Sequence, residues 1–167
     1  FDQDEVERLA AAAECPQDAA MYRVAAFTGL RTGELFGLKW GDVDFLGGLL
    51  HVRRSYDYKL HREKVPKGKR VRSVPMVPAV VDALAQLKER EHFTGDGSLV
   101  FCSTAGEYLD YFAHLARYKA ALGRAKLREI RFHDLRHAFG SAAIRTLDPY
   151  AVQSYMGHAH YSTTQRY

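Results

Sequence analysis

The sequence predicts a mainly α-helical α+β domain with one small antiparallel β-hairpin. Apolar residues recur at spacings of three and four along most of the chain, which is typical of amphipathic helices. Two short segments, 49–56 and 70–76, are rich in valine, tyrosine or serine, a composition that favours strands. The 167 residues are 47% hydrophobic, which suffices for one domain with a buried core and excludes a disordered chain.

The first half of the chain predicts three helices. Residues 3–14 have acidic residues in their first turn and apolar residues at helical spacing. Residues 19–28 form a second, apolar helix, which the segment 28–33 (TGLRTG) interrupts. The two glycines of that segment permit a tight turn before a new helix starts at Glu34. Gly47-Gly48 predicts a further turn, just before the first strand.

The second half predicts one short strand and five helices. In chain order these are a helix 78–90, a strand 99–102, a helix 108–122, a helix 134–145, a helix that starts at Pro149, and a last helix that Ser162-Thr163-Thr164 can cap. Proline suits the first turn of a helix, because its missing N–H is not needed there. Gly157 ends the helix that begins at Pro149.

Positive charge is concentrated around the loop 57–69, which joins the two predicted strands. Residues 51–72 contain nine Lys and Arg against two acids, whereas the whole chain carries a net charge of only +4. A basic block on a mildly acidic body favours a surface that faces a polyanion, although a solvated loop has the same composition. The candidate DNA-binding residues are Arg53, Arg54, Lys59, Arg62, Lys64, Lys69, Arg70 and Arg72.

Composition also bounds the cellular context. No apolar run approaches the roughly 18 residues that a membrane span requires. Cys15 and Cys102 are too few for a disulfide framework and suit a reducing cytoplasm. Because the chain starts at Phe1 and stops at Tyr167, we interpret residues 1–167 as one domain of a longer protein.

The densest polar cluster is the segment 133–137 (HDLRH). If this segment is helical, His133, Arg136 and His137 share one face. Two histidines at this spacing can ligate zinc, but the glutamate of the HExxH motif is missing and Arg136 would repel the cation. We therefore predict no metal, and favour an anion site built from a guanidinium and imidazole donors. In the alternative, Asp134 caps the helix and the imidazoles bind local carbonyls.

Arg31 follows directly on the apolar run 25–30, an unusual place for a solvated cation. A buried charge has to be paired, and Glu34, three residues on, is a plausible partner. The pair is either an internal salt bridge without a ligand or a means of presetting a second arginine for a phosphate.

Four segments in the same order resemble the catalytic domain of the tyrosine recombinases, also called phage-type integrases, over residues 1–167. They are 28–35 (TGLRTGEL), 72–75 (RSVP), 133–137 (HDLRH) and 156–158 (MGH) followed by 162–167 (STTQRY). The resemblance implies the fold of that domain. It also implies a role for each matching residue. Tyr167 is the nucleophile, and His133 accepts its proton. Arg31 and Arg136 clamp the phosphate, to which His158 adds a hydrogen bond. Lys67, with Lys69 as a competitor, protonates the leaving group. Glu34 would support Arg31. From helical spacing, His137 shares the face of His133, and we expect it to pack beneath the site as a supporting residue.

The resemblance further implies site-specific recombination of double-stranded DNA through a 3′-phosphotyrosyl intermediate, without metal or cofactor. We expect integration or excision of a phage or mobile element in a bacterial cytoplasm. Family members act as tetramers on DNA and carry an N-terminal core-binding domain and a C-terminal tail; without these, we expect a monomer that binds DNA weakly. The alternatives are DNA relaxation like that of a type IB topoisomerase, a non-catalytic DNA-binding relative and, more remotely, a metal hydrolase.

Overall fold

The computed structural model describes residues 1–65, 71–157 and 161–164. Its helices are α1 Gln3–Ala11, α2 Pro16–Thr28, α3 Thr32–Phe36, α4 Pro78–Lys88, α5 Tyr111–Arg124, α6 Asp134–Ala143, α7 Pro149–Met156 and α8 Tyr161–Thr164. Its strands are β1 Val43–Asp44, β2 Leu49–Val52, β3 Ser55–Asp57, β4 Arg62–Lys64 and β5 Arg72–Pro75. The predicted fold class, helical with a small antiparallel sheet, is confirmed. None of the helices in these described ranges is long and apolar enough to cross a membrane.

Side-chain caps fix where several helices begin. At α1 the Asp2 carboxylate accepts a hydrogen bond from the Glu5 N–H (2.8 Å), and the Glu5 carboxylate accepts one from the Asp2 N–H (2.9 Å). The Asp148 carboxylate caps the first turn of α7 by accepting hydrogen bonds from the N–H groups of Tyr150 and Ala151. At α5 the Asp110 carboxylate accepts from the Ala113 N–H (2.7 Å), so this helix begins later than the predicted residue 108.

The predicted hairpin is wrong in one respect, because the segment 49–56 is divided between two sheets. β2 lies between β1 and β5 in an antiparallel sheet, whereas β3 pairs with β4, inside the segment expected to be a loop. The division occurs at Arg53 and Arg54, whose guanidinium groups both turn towards the buried Asp42 carboxylate. This ion pairing draws the chain away from the first sheet, so that β3 finds a new partner.

The predicted strand 99–102 is also wrong. The chain makes only an isolated bridge there, between Leu99 and Lys39. The Arg90 guanidinium donates hydrogen bonds to the carbonyl oxygens of Leu99 (2.7 Å) and Val100 (2.9 Å). These side-chain bonds replace those that a partner strand would supply.

Helix α2 is the centre of the core and packs against α1, α4 and α6. Met21, Tyr22 and Val24 on this helix are fully buried. A helix buried on nearly all sides is held rigidly by close packing. The turn that follows α2, which carries Arg31, is therefore fixed at its N-terminal end.

His114 of α5 lies in the core among aromatic rings. Its ring centroid is 4.5 Å from that of Phe132 and 5.5 Å from that of Phe36. Within the described residues neither of its ring nitrogens has a hydrogen-bond partner, and the same holds for the hydroxyls of Tyr22 and Tyr118. This histidine is therefore neutral in the folded protein.

Acid is expected to destabilise the fold through His114. Burial lowers the pKa of His114 from 6.5 to about 4, although the nearby Asp18 carboxylate opposes the effect. As the pH falls, the unfolded chain therefore binds the proton first, and we expect the free energy of unfolding to fall by roughly 1 kcal/mol per pH unit between these two values. Urea unfolding at several pH values should show a smaller slope for His114→Leu and an unchanged slope for a variant of the exposed His92. Equal slopes for wild type and His114→Leu would contradict the prediction.

Candidate active site

The segment 133–137 forms the start of α6, with His133 immediately before the helix. The rings of His133 and His137 lie together, with centroids 5.1 Å apart, and both side chains are exposed. The Asp134 carboxylate does not cap the helix but accepts hydrogen bonds from the backbone N–H (3.0 Å) and guanidinium of Arg131. The alternative in which Asp134 is the cap is therefore wrong.

Arg136 points into the protein and is only 3% exposed. Its guanidinium donates to the carbonyl oxygen of Gly29, at the end of α2, and to that of Met156, at the end of α7 (2.5 Å). One side chain thus joins three helices. The sequence interpretation placed Arg136 on one face with the two histidines; it lies deeper than they do.

Arg31 and Glu34 form the predicted ion pair. The Arg31 backbone N–H donates to Glu34 Oε2 (2.8 Å), and Arg31 Nη1 donates to Glu34 Oε1 (3.1 Å). The Glu34 side chain is 3% exposed and that of Arg31 is 42% exposed. The carboxylate therefore holds the guanidinium from the inside and leaves an outer side of it open to solvent.

Arg72 was expected to contact DNA, and this interpretation needs correction. Its side chain is 9% exposed, and its guanidinium forms a bidentate pair with Glu34, with N–O distances of 2.8 and 2.7 Å. Its Nε donates to the carbonyl oxygen of Tyr155 (2.7 Å). The sequence could have revealed that Arg72 points inwards, because side chains alternate along a strand and Arg72 shares a face of β5 with the fully buried Val74.

Three arginines converge on the C-terminal end of α7. The last carbonyls of a helix lack partners within the helix and carry a partial negative charge, so they attract cations. The pairs are Arg72 Nε to Tyr155 O (2.7 Å), Arg136 Nη2 to Met156 O (2.5 Å) and Arg31 Nη2 to Gly157 O (3.0 Å). The two arginines that the sequence predicted to share an anion site thus reach adjacent carbonyls, although they are far apart in the chain.

Two glycines allow this close packing. Gly29 ends α2 with a φ of 65°, and Gly157 ends α7 with a φ of 61°, both in the left-handed region. A Cβ on Gly29 would overlap the ring of Phe139. A Cβ on Gly157 would lie 3.0 Å from Nη1 of Arg72.

Burial and neighbouring charges at this site shift the pKa of two groups, Glu34 and His133. Burial alone would raise the pKa of the Glu34 carboxyl, but the hydrogen bonds and charge of Arg72, together with Arg31, hold it below its usual value. Partial burial lowers the pKa of His133, and the neighbouring His137 and Arg136 lower it further. At neutral pH, Glu34 is therefore ionised and His133 is neutral, with a ring nitrogen able to accept a proton.

Several predicted site residues lie outside the described residues: Lys67, His158 and Tyr167, and with them Lys69 and Arg70 of the DNA-binding candidates. Gly157, the residue before His158, is described and lies at the site. Within the described ranges, no group of three or more His, Cys, Asp or Glu is arranged to hold a metal ion.

The remaining candidate DNA-binding residues differ in exposure. Lys59, Arg62 and Lys64 are exposed on the hairpin that β3 and β4 form, whereas Arg54 is turned inwards to Asp42. Arg53 is 49% exposed at the base of this hairpin.

Aromatic stacking anchors the β3–β4 hairpin to the start of α5 and to the loop before it. Tyr56 stacks on Tyr108 and Tyr58 stacks on Tyr111, each pair with ring centroids 3.8 Å apart. The hairpin is thereby held against the body of the domain with its basic side chains outwards.

Comparisons with known proteins show to which family the chain belongs. All of residues 1–167 match the model of the phage integrase family. A tyrosine recombinase XerC-like protein of Caldanaerobacter subterraneus subsp. tengcongensis is 30% identical over 98% of this chain and 48% of its own length. Tyrosine recombinase XerC of Xanthomonas axonopodis pv. citri is 31% identical over 100% of this chain and 52% of its own length. The chain thus spans about half the length of these relatives.

Solved structures share the fold. The XerA recombinase has a TM-score of 0.78 and 28% identity, covering 99% of this chain and 58% of its own. The Tn1549 transposon integrase in complex with a circular intermediate DNA has a TM-score of 0.71 and 26% identity, covering 89% and 52%. With two arginines converging beside a neutral histidine, and a family match along its whole length, the chain belongs to the phage integrase family, the tyrosine recombinases, and has the fold of their catalytic domain.

Proposed function

We propose that this domain cuts and rejoins DNA strands at specific sites through a covalent phosphotyrosyl intermediate. The observation that carries the proposal is the convergence of Arg31 and Arg136 on one point, beside the neutral His133. Two guanidinium groups and an imidazole suit a phosphate that is attacked by a hydroxyl. Lys67, His158 and Tyr167 enter the proposal from their match to the family's motifs.

In the first step the Tyr167 hydroxyl attacks the scissile phosphorus. The bond from Tyr167 to phosphorus forms as the bond to the 5′ oxygen breaks, so the strand's 3′ end stays attached to the protein. A free tyrosine has a pKa near 10, and His133 accepts its proton as the bond forms. Lys67, or Lys69 in its place, donates a proton to the departing 5′ oxygen. Attack by a 5′ hydroxyl of another strand reverses the sequence and joins the two strands.

The arginines act on the charge of the transition state. Negative charge grows on the two nonbridging oxygens of the phosphate, and donors that are already in place stabilise it without reorganisation. Arg31 and Arg136 are suited to this role, because their guanidinium groups reach adjacent carbonyl oxygens at the end of α7. His158 adds a further hydrogen bond to the phosphate.

Affinity for DNA comes from the basic hairpin. Lys59, Arg62 and Lys64 are exposed there and are suited to bind backbone phosphates, which gives affinity that depends on salt rather than on sequence. Arg53 lies at its base, and Lys69 and Arg70 follow it in the chain. We propose that the longer protein acts as a tetramer on two recombination sites, and that this domain alone is a monomer.

We further propose that the recombination integrates or excises a mobile element. The likeness to an integrase of the transposon Tn1549 supports this assignment. The XerC relatives are named as tyrosine recombinases, and their names indicate no mobile element. Direct repeats that flank a mobile element carrying this gene would favour integration or excision of that element. Their sequences provide the duplex substrates for the cleavage assay.

A suicide substrate tests the proposed chemistry. The protein is incubated with a duplex from such a repeat, nicked just beyond the scissile phosphate so that the cleaved end diffuses away. We expect an adduct that survives denaturation in wild type, that maps to Tyr167, and that is absent in Tyr167→Phe. A wild type that binds the duplex without an adduct would leave only DNA binding. Relaxation of a supercoiled plasmid without strand exchange would favour a topoisomerase, and loss of cleavage in chelator would favour a metal hydrolase.

The pH dependence of adduct formation follows from His133. Its pKa is lowered below 6.5, so the neutral, proton-accepting form prevails at neutral pH and is lost only as the pH falls below that lowered pKa. We expect a single-turnover rate that is flat around pH 7 and falls about tenfold per pH unit on the acid side. The residual activity of His133→Gln should lack this acid limb, whereas His137→Gln should keep it. An acid limb above pH 6.5 in wild type would contradict the assignment.

A further inference from the structure

We propose that Arg72 is a positioning residue of the active site. It holds the Glu34 carboxylate, and through it the Arg31 guanidinium, in a fixed position beside the end of α7. The inference rests on the proposed function, since it concerns the rate of the same cleavage step. It replaces the sequence interpretation in which Arg72 contacts DNA.

The Glu34 carboxylate is fixed by four donors. Its Oε1 accepts from Nη1 of Arg72 (2.8 Å) and from Nη1 of Arg31 (3.1 Å). Its Oε2 accepts from Nη2 of Arg72 (2.7 Å) and from the backbone N–H of Arg31 (2.8 Å). A bidentate pair fixes the plane of the carboxylate, so Arg72 determines the orientation in which Glu34 accepts hydrogen bonds from Arg31.

The third donor of Arg72 points elsewhere. Its Nε binds the carbonyl oxygen of Tyr155 (2.7 Å), two residues before the carbonyl of Gly157 that Arg31 binds. One rigid guanidinium thus ties the turn that carries Arg31 to the last turn of α7. A lysine could neutralise Glu34 but lacks the planar fork that reaches both partners.

Arg72 also determines how much positive charge is left for a phosphate. The cluster of Arg31, Glu34 and Arg72 contains two cations and one anion, and the anion is buried with Arg72. Arg31 is the exposed member, so the net charge of the cluster is available on the side that faces solvent. Without Arg72, the Glu34 carboxylate would neutralise Arg31 instead.

A double-mutant cycle tests whether Arg72 acts through Arg31. Single-turnover adduct formation at saturating DNA is measured for Arg72→Lys, Arg31→Lys and the double variant. We expect Arg72→Lys to lower the rate about tenfold with little change in the affinity for DNA, but less than about twofold when Arg31 is already lysine. Arg72→Gln is the second variant, with the same expected dependence on Arg31. Assays run well below the melting temperature of each variant.

Arg90→Lys is the matched control. The Arg90 guanidinium also binds backbone carbonyls, those of His92, Phe93, Leu99 and Val100, but none of these belongs to the site. Its replacement should alter stability and leave the cleavage rate unchanged. Equal losses from Arg72→Lys with and without Arg31 would overturn the inference, as would a loss no greater than that of Arg90→Lys. A wild type without any adduct would instead overturn the proposed function, and this inference with it.

Discussion

Replacing Glu34 with glutamine is expected to lower the free energy of unfolding by about 3–5 kcal/mol, the usual cost of breaking a buried ion pair from one side. The glutamine has the same shape but no charge, and its amide NH₂ would meet the donors of Arg72 or Arg31. Arg72 would then remain buried at 9% exposure without a counter-ion. Urea unfolding followed by the fluorescence of the single tryptophan, the buried Trp40, measures the change.

Glu7→Gln is the control for this measurement. The Glu7 carboxylate also accepts bidentate hydrogen bonds from an arginine, Arg23, at 2.6 to 3.1 Å. That pair is nearer the surface, with side chains 39% and 25% exposed, so its loss should cost about 1 kcal/mol or less. A similar fall in the free energy of unfolding for the two variants would show that burial does not increase the contribution of the Glu34 ion pairs to stability.

The same carboxylate makes stability depend on pH. Because the pKa of Glu34 is lower in the folded protein than its ordinary 4.5, its contribution is fully present above that pH. It is lost as the pH falls through the lowered value, where the folded carboxylate also takes up a proton. Glu34→Gln should therefore show a weaker loss of stability below about pH 4.5 than wild type.

The parts of the site that could be predicted from sequence are local. Arg31 and Glu34 are three residues apart at the start of a helix, and His133 and His137 are four apart, so helical geometry alone brings each pair together. The four-segment motif then places both pairs in one family and one fold. Nothing local indicates that Arg72 binds Glu34, because the two are 38 residues apart in the chain. Roles for Lys67, His158 and Tyr167 stay predictions.

The errors in the predicted fold also arise from pairing of polar groups that the sequence pattern does not indicate. β4 was expected to be loop because Arg62–Lys64 is exposed at every residue, so it lacks the alternation that marks a strand with one buried face. Residues 99–102 are buried and apolar like a strand, but the carbonyls of Leu99 and Val100 bind the guanidinium of Arg90. In both cases the pairing of polar groups decided the structure, between backbone groups across the β3–β4 hairpin and between the Arg90 guanidinium and two carbonyls. A pattern of apolar residues does not report such pairing.

Replacing Arg136 with lysine is expected to slow adduct formation about 100- to 1,000-fold, the usual effect of removing one preorganised donor to a transition-state oxyanion. The lysine keeps the charge but not the fork that spans Gly29 and Met156. The exposed Arg145, just beyond the end of the same helix, provides the control, and Arg145→Lys should keep the wild-type rate.

The loss in Arg136→Lys could come from chemistry or from a disturbed fold, and modified DNA separates the two. A methylphosphonate at the scissile position removes the charge of one nonbridging oxygen and so reduces what a guanidinium can stabilise. If Arg136 acts on that charge, the ratio of wild-type to variant rates should shrink markedly on the neutral substrate. A ratio that is the same on both substrates would assign the loss to a displaced α7, because a structural defect slows the two reactions equally.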